Sequence, residues 1–285
     1  MTTNTLYPTP KNIHPTAMVH PTATIAPTAI IHPYVIIGQH CTVGEGCILH
    51  AHAVLEPYVT LGEGCIIHSG AVLGGTPQDR KFQGEVSYVT IGKNTIVREC
   101  ATVHRATGEG LTTSVGENCF LMAYSHIGHN CTVENDVTLA NTVQIAGHVH
   151  IESHVTIGGG VVVHQGVKIG QYTMVGGFCP VRQDPPPFSL ISAVPARLAG
   201  LNAVGLKRNG FSAEQRKVIK QAYHILFYNT ALMSDRIEQA EKAFASNSHV
   251  QQLITFVKAS KRGMCSPISI KKRGHSEDIN TSIEV

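Results

Sequence analysis

The chain has 285 residues, no Trp, a formal net charge of +3 and only 14% charged residues. So weak a field excludes a polybasic nucleic-acid or membrane-surface binder. The opening MTTNTLYPTP has no basic stretch leading into an apolar run; nothing in the sequence approaches the roughly 18 apolar residues of a membrane helix, so a soluble, cytoplasmic protein is expected.

Residues 1–12 read as a lead-in. From Ile13 an aliphatic residue recurs every six positions through Leu73, again at Ile91, Val97 and Val103, and without a break from Val115 to Val181. Asp79, Glu85 and Glu109 alone break this register. A helix repeats at 3.6 residues and a strand at 2, so neither explains six. A triangular coil of three short strands does, each strand placing one aliphatic side chain inside. The expected fold is an all-β solenoid, a left-handed parallel β-helix of hexapeptide repeats over residues 13–190. About nine coils at roughly 4.8 Å each make a prism about 40 Å long. Two polar, Gly-bearing segments, 74–90 and 105–114, interrupt the ladder. Loops expelled from a solenoid gather on binding surfaces.

After Asp184 the run Pro185–Pro187 ends the repeat, and a small C-terminal α-helical domain is expected over residues 191–262. Ser212 with Gln215 reads as a capping box opening a helix to Tyr228, with Val218, Ala222, Ile225 and Leu226 on one face. Ser234 reads as the cap of a second helix, with Ile237, Ala240 and Phe244 inward. Ser248 with Gln251 would cap a third, carrying Leu253, Ile254 and Val257. The tail, 263–285, is aperiodic and polar and reads as disordered. Flat prism faces pack in threes around an axis, so a homotrimer with sites between prisms is expected.

Eight cysteines invite a disulfide or metal reading. Six of them, Cys41, Cys47, Cys65, Cys119, Cys131 and Cys179, stand four places after a ladder residue, a slot that elsewhere takes Ala or Val. Small hydrophobes at a tight corner fit that pattern, and no C-x-x-C pair occurs. Seventeen histidines sort the same way. His14, His20, His32, His50, His68, His104 and His164 directly follow ladder residues, whereas His129 alone falls two places after one. Residues 18 apart share a corner of successive coils, so Gly147 and Gln165 stand above His129, beside a column of Asn130, His148 and Gly166. Glycine lets a reactant approach a main-chain N–H, and a neutral imidazole can accept a hydroxyl proton. That suits acyl transfer to an alcohol; a polar corner closed by hydrogen bonds fits the same residues equally. No G-x-S-x-G elbow, P-loop or dinucleotide glycine pattern is present.

The motifs GGTPQDRKFQGE (74–85), HRAT (104–107), AYSHIGHNC (123–131), AGHV (146–149), VHQ (163–165) and GLKRNGF (205–211) together resemble the UDP-N-acetylglucosamine O-acyltransferase family of lipid A synthesis. The resemblance runs from about Ile13 to Tyr228, more loosely to Gly263. It implies transfer of a 3-hydroxyacyl chain from acyl carrier protein to the 3-hydroxyl of UDP-N-acetylglucosamine, with no metal or cofactor. By motif position His129 is implied as general base and Gly147 as oxyanion donor. Asp79, Lys81, His126 and His148 match substrate-contacting positions, Gln165, Asn202 and Arg208 nucleotide-side positions, and Gly177 the limit on acyl length. Asn130 stands where the family usually carries Asp, Asn209 replaces the second Arg of a KRRGF-like motif, and Val204 a position often acidic.

Lys207, Arg208, Arg216, Lys217 and Lys220 offer an acidic carrier protein a surface, or form an ordinary solvated face. Alternatives are an acyltransferase on a 3-amino nucleotide sugar, the later N-acyltransferase of the same pathway, a γ-type carbonic anhydrase with zinc histidines between subunits, and a non-enzymatic β-helix scaffold. The N-acyltransferase carries an added N-terminal domain, and carbonic anhydrase lacks the GGTPQD loop.

Overall fold

The computed structural model describes residues 12–268. Three sheets of nine, eight and ten strands, parallel except for the last strand of the third, form the faces of a triangular prism. The first face begins with Met18–Val19, the second with Thr24–Ile25 and the third with Ile30–Ile31, and the chain visits them in that order. Successive coils pair in strict register, as at Ile36↔Val54 and Ile37↔Leu55. The ladder side chains from Ile31 to Val181 are buried and form one continuous aliphatic core.

From Ile31 on, most corners turn through a left-handed residue three places after the ladder position. Gly46, Gly64, Gly70, Gly160 and Gly166 fill that slot, but so do Asn94, Asn118, Asn130, Asp136, His148 and His154, all with φ between 54° and 72°. Asn and Asp tolerate this conformation best, and glycine adopts it freely. The next slot holds the cysteines, and it is more than a small-residue corner. Cys41, Cys47, Cys65, Cys119 and Cys131 each donate their thiol to a carbonyl of the following coil at 3.0–3.1 Å. Thr95 uses the same slot, donating to the Gly116 carbonyl at 2.8 Å.

The faces differ in chemistry. The second is polar outside, with Thr24, Thr42, Thr60, Thr90, Ser114, Thr132, His150 and Lys168 pointing outward. The first presents Met18, Ile36, Val54 and Val72 and then Thr102, His126 and Gln144, and the third Ile30, Ile48, Ile66 and Ile96 and then Phe120, Thr138 and Thr156. Both expelled loops leave the first face, after strands Val72–Gly75 and Thr102–His104, and enter the second at Tyr88–Ile91 and Thr112–Val115. They therefore project from one and the same corner.

The C-terminal region departs from expectation at several points. Residues 191–201 are not helical: Ser189–Ser192 and Arg197–Leu201 form an antiparallel hairpin that extends the third face. A short helix, α1 (Ala203–Arg208), follows, capped by Asn202. α2 (Ala213–Phe227) carries the Ser212–Gln215 capping box. α3 (Met233–Ala243) begins after Leu232 with no side-chain cap, and Ser234 lies inside it, bonded to Asp235. α4 (Ser248–Ala259) is capped by Asn247, whose side chain accepts from the Val250 N–H at 3.1 Å, so Ser248 is already helical.

Residues 263–268, grouped by composition with a disordered tail, fold back onto the prism. Met264 bridges to Asp184 and Pro267 to Leu198. Cys265 is buried, and the buried Asp184 carboxylate accepts from Ser260 at 2.6 Å and the Lys168 N–H at 2.9 Å. These residues close the otherwise open end of the apolar core, which local composition does not reveal. The rest of that tail, 269–285, and residues 1–11 lie outside the described residues.

Candidate active site

The corner between the first and second faces gathers the chemistry. His129 is 8% exposed and sits two places after Ile127. Gly147 stands directly above it: a Cβ added there would lie 2.5 Å from His129 Nε2. The Gly147 N–H meets no acceptor among the described residues. His148 completes the wall, its ring 5.0 Å from that of His129 and nearly perpendicular.

Asn130 orients the imidazole. Its Oδ1 lies 2.8 Å from His129 Nδ1 and accepts the Thr107 N–H at 2.9 Å, while its Nδ2 donates to the Thr107 carbonyl at 3.0 Å. The two Thr107 contacts fix which end of the amide faces His129. Nδ1 must then carry the proton, leaving the Nε2 lone pair toward Gly147. An amide thus sets the same tautomer a carboxylate would, without its charge.

The three register-breaking acids acquire roles here. Glu85 Oε1 accepts the Gly108 N–H at 2.7 Å and Glu109 Oε2 the Val86 N–H at 3.2 Å, so each loop holds the other. Arg105 lies over the Phe82 ring at 5.2 Å, adding a cation–π contact between them. Asp79 reaches the cleft, its Oδ1 accepting the Lys81 N–H at 3.0 Å. That bond, the largest cause, together with the Lys81 charge holds its carboxyl below the usual carboxylate range.

An open cleft of about 550 Å³ results, lined by Gln78, Asp79, Arg80, Lys81, Thr107, His129, His148 and Gln165. Partial burial, then the neighbouring His129, lowers the His148 pKa. Burial pushes His126 down to about 4 and lowers His104 as well. His126 points outward on the first face, bonded through Nδ1 to Thr102 Oγ1 at 2.8 Å, and does not line the cleft.

Of the residues singled out by sequence, Asp79, Lys81, His129, Gly147, His148 and Gln165 meet at this corner. Asn202 and Arg208 do not: Asn202 caps α1 and donates to the Tyr172 carbonyl at 2.9 Å, and Arg208 lines a separate depression with Val204, Lys207 and Arg216. Gly177 stands at a different corner, between the third and first faces. Sequence reasoning missed Thr107, Gln78 and Arg80 as cleft residues; HRAT and GGTPQDRKFQGE contained them, without a spacing rule to single them out. Among the described residues no helix is long and apolar enough to cross a membrane, and no three His, Cys, Asp or Glu side chains could hold a metal ion.

A family model described as UDP N-acetylglucosamine O-acyltransferase, domain 2, matches residues 184–265. The bacterial transferase hexapeptide model matches residues 112–147. A Sulfurihydrogenibium protein named acyl-[acyl-carrier-protein]--UDP-N-acetylglucosamine O-acyltransferase is 54% identical over 202 residues, 70% of this chain and 74% of its own. A protein of the same name from Thermodesulfovibrio yellowstonii is 45% identical over 68% of this chain and 75% of its own. The crystal structure of Francisella novicida UDP-N-acetylglucosamine acyltransferase superposes with a TM-score of 0.87 at 35% identity, covering 89% of this chain and 94% of that one.

Proposed function

Because the chain belongs to the UDP-N-acetylglucosamine O-acyltransferase family, we propose that it moves a 3-hydroxyacyl group from acyl carrier protein to the 3-hydroxyl of UDP-N-acetylglucosamine, the first step of lipid A synthesis. The observation that carries this reading is the stacking of Gly147, whose N–H has no acceptor among the described residues, over the Nε2 side of the His129 ring. Nε2 takes the proton of the sugar hydroxyl as its oxygen attacks the thioester carbonyl carbon. The Gly147 N–H donates to the oxyanion of the tetrahedral intermediate. Collapse expels the carrier thiolate, and the imidazolium returns its proton to that sulfur. The neutral imidazole is regenerated with no covalent enzyme intermediate.

Asp79, Lys81 and His148 line the sugar end of the cleft and Gln165 its nucleotide end. His126 lies on the adjoining face, beside the acyl path. Asn202 and Arg208 join the site from a neighbouring subunit of a homotrimer. Two unlike faces that are apolar over their early coils, and one that is polar, suit cyclic, heterologous packing, in which the first face of one copy meets the third of the next. Gly177 stacks above Gly159 and leaves a side-chain-free strip at the far edge of the first face. An acyl chain crossing that face past the outward, 54% exposed Val162 ends there.

The test is mass spectrometry of products from purified protein, UDP-N-acetylglucosamine and a panel of 3-hydroxyacyl carrier proteins. A product heavier by one 3-hydroxyacyl group, sensitive to base as an ester, is expected. No acylated nucleotide sugar with any donor would reject the reading.

A further inference from the structure

We propose that Arg182 and Arg262 form an additional anion subsite for the diphosphate of the nucleotide sugar, at the upper end of the corner column that starts at His129. The inference rests on the acceptor assigned above and adds residues to its site.

The column reads His129, Gly147, Gln165, Gln183 on successive coils. Above it the chain's own C-terminal segment supplies the next rung: a Cβ on Gly263 would meet Gln183 Nε2 at 3.5 Å, and Met264 bridges to Asp184. This fold-back brings Arg262 to the corner, where its Nε donates to the Arg182 carbonyl at 3.2 Å and its Nη2 to His164 Nδ1 at 3.1 Å. A guanidinium cannot accept, so His164 Nδ1 must. That excludes donation from Nδ1 to the Gln165 carbonyl 3.1 Å away and leaves the His164 proton on Nε2.

The upper corner therefore carries two guanidinium groups and an imidazole N–H, all exposed. Among the described residues neither arginine pairs with a carboxylate. Fixed but uncompensated, such cations suit phosphate oxygens. Their height also fits. Gln165 lies two coils above His129 and Arg182 three, about 10 and 14 Å at roughly 4.8 Å per coil. With the reacting hydroxyl at His129, the diphosphate on the opposite side of the sugar ring points up this column.

The experiment uses the full chain with Arg262→Ala, Arg262→Lys and Arg182→Ala. Binding of UDP is measured by calorimetry, independently of turnover, alongside KM for each substrate, kcat and Tm. Loss of one charge-assisted bond should weaken UDP binding and raise acceptor KM about tenfold in Arg262→Ala, with Arg262→Lys in between. Donor KM, kcat and Tm should hold. UDP affinity unchanged in all three variants overturns the subsite, as does a rise confined to donor KM. A joint fall in Tm and in affinity for both substrates overturns it too, because it marks a structural latch. Arg262-dependent UDP binding by a wild type that makes no acylated product supports the subsite and rejects the reaction. Acylation whose acceptor KM, like UDP binding, is indifferent to Arg262 rejects the subsite alone.

Discussion

Two corners of this prism are built from the same hexad and end in different chemistry. The corner after the first face carries Gly147 over His129, and the corner after the third carries Gly177 over Gly159. Both glycines stand two places past a buried ladder residue, and both corners turn through left-handed residues, Asn130 and His148 at one, Thr142 and Phe178 at the other. Only the first is interrupted by expelled loops. The second instead exposes aromatic rings, with Phe178 79%, Tyr124 61% and Tyr34 57% accessible. The repeat decides where a side chain can stand; the breaks in the repeat decide what surrounds it.

The sharpest way to break the comparison is His129→Ala. Turnover should fall about 10²–10⁴-fold, the usual contribution of a general base, with fold and Tm retained. A loss below tenfold would sink the assignment.

Alanine at the glycines separates the corners next. In Gly147→Ala the added Cβ lands 2.5 Å from His129 Nε2, whereas in Gly159→Ala the nearest atom is the Asn141 carbonyl at 3.3 Å. The first should lose about 10²–10³-fold in kcat, as for removal of an oxyanion donor, and the second only a few-fold. Equal losses in steady-state assays would mean that both glycines serve the backbone alone.

Gly177→Met sharpens the other corner. Each buried methylene contributes about 0.8 kcal/mol, so closing the strip should shift preference toward shorter acyl chains without abolishing activity. A donor panel with equal losses at every length would remove Gly177 from the acyl path.

Asn130→Asp gives a smaller effect of two opposing parts. The new charge favours the imidazolium, moving the acidic limb of kcat/KM to higher pH. It also faces the Thr107 carbonyl now bonded by Nδ2 at 3.0 Å, which loosens the loop. An unmoved limb in the pH profiles would show that this neighbour does not tune the base.

The smallest effect concerns stability. His32, His50 and His68 stack along the third-to-first corner, ring centroids 5.1 and 4.8 Å apart. Burial first, then the neighbouring rings, lowers His50 from 6.5 to about 4, and burial lowers the other two. Glu99, 3.3 Å from His68, opposes the shift at that end of the stack. The unfolded chain then binds protons first, so stability is complete above about pH 6.5 and declines as pH falls toward 4. These rings are half-exposed, so the loss should be only a few degrees of Tm. His50→Gln should flatten the decline between pH 7.5 and 5 in thermal melts; the same slope in both proteins would clear the stack of any part in it.

The sequence by itself determined the prism, because a six-residue period admits one way to bury its aliphatic side chains. It also determined the vertical order His129, Gly147, Gln165, since register converts spacing of 18 directly into stacking. Asp79, Glu85 and Glu109 were visible as breaks, but their roles were not: a loop's path depends on what it meets, and Glu85 meets Gly108 from the other loop. The cap of α4 shifted because Asn247, one place earlier, served where Ser248 was expected, while α3 starts after Leu232 with no side-chain cap and takes Ser234 into its first turn. Tertiary structure alone decided that Thr107 clasps the Asn130 amide and that Asn202 and Arg208 stand away from His129. It also decided that residues 263–268 close the prism rather than trail from it. Those contacts join segments far apart in the chain and depend on surfaces that exist only once the coils are stacked, so no local pattern encodes them.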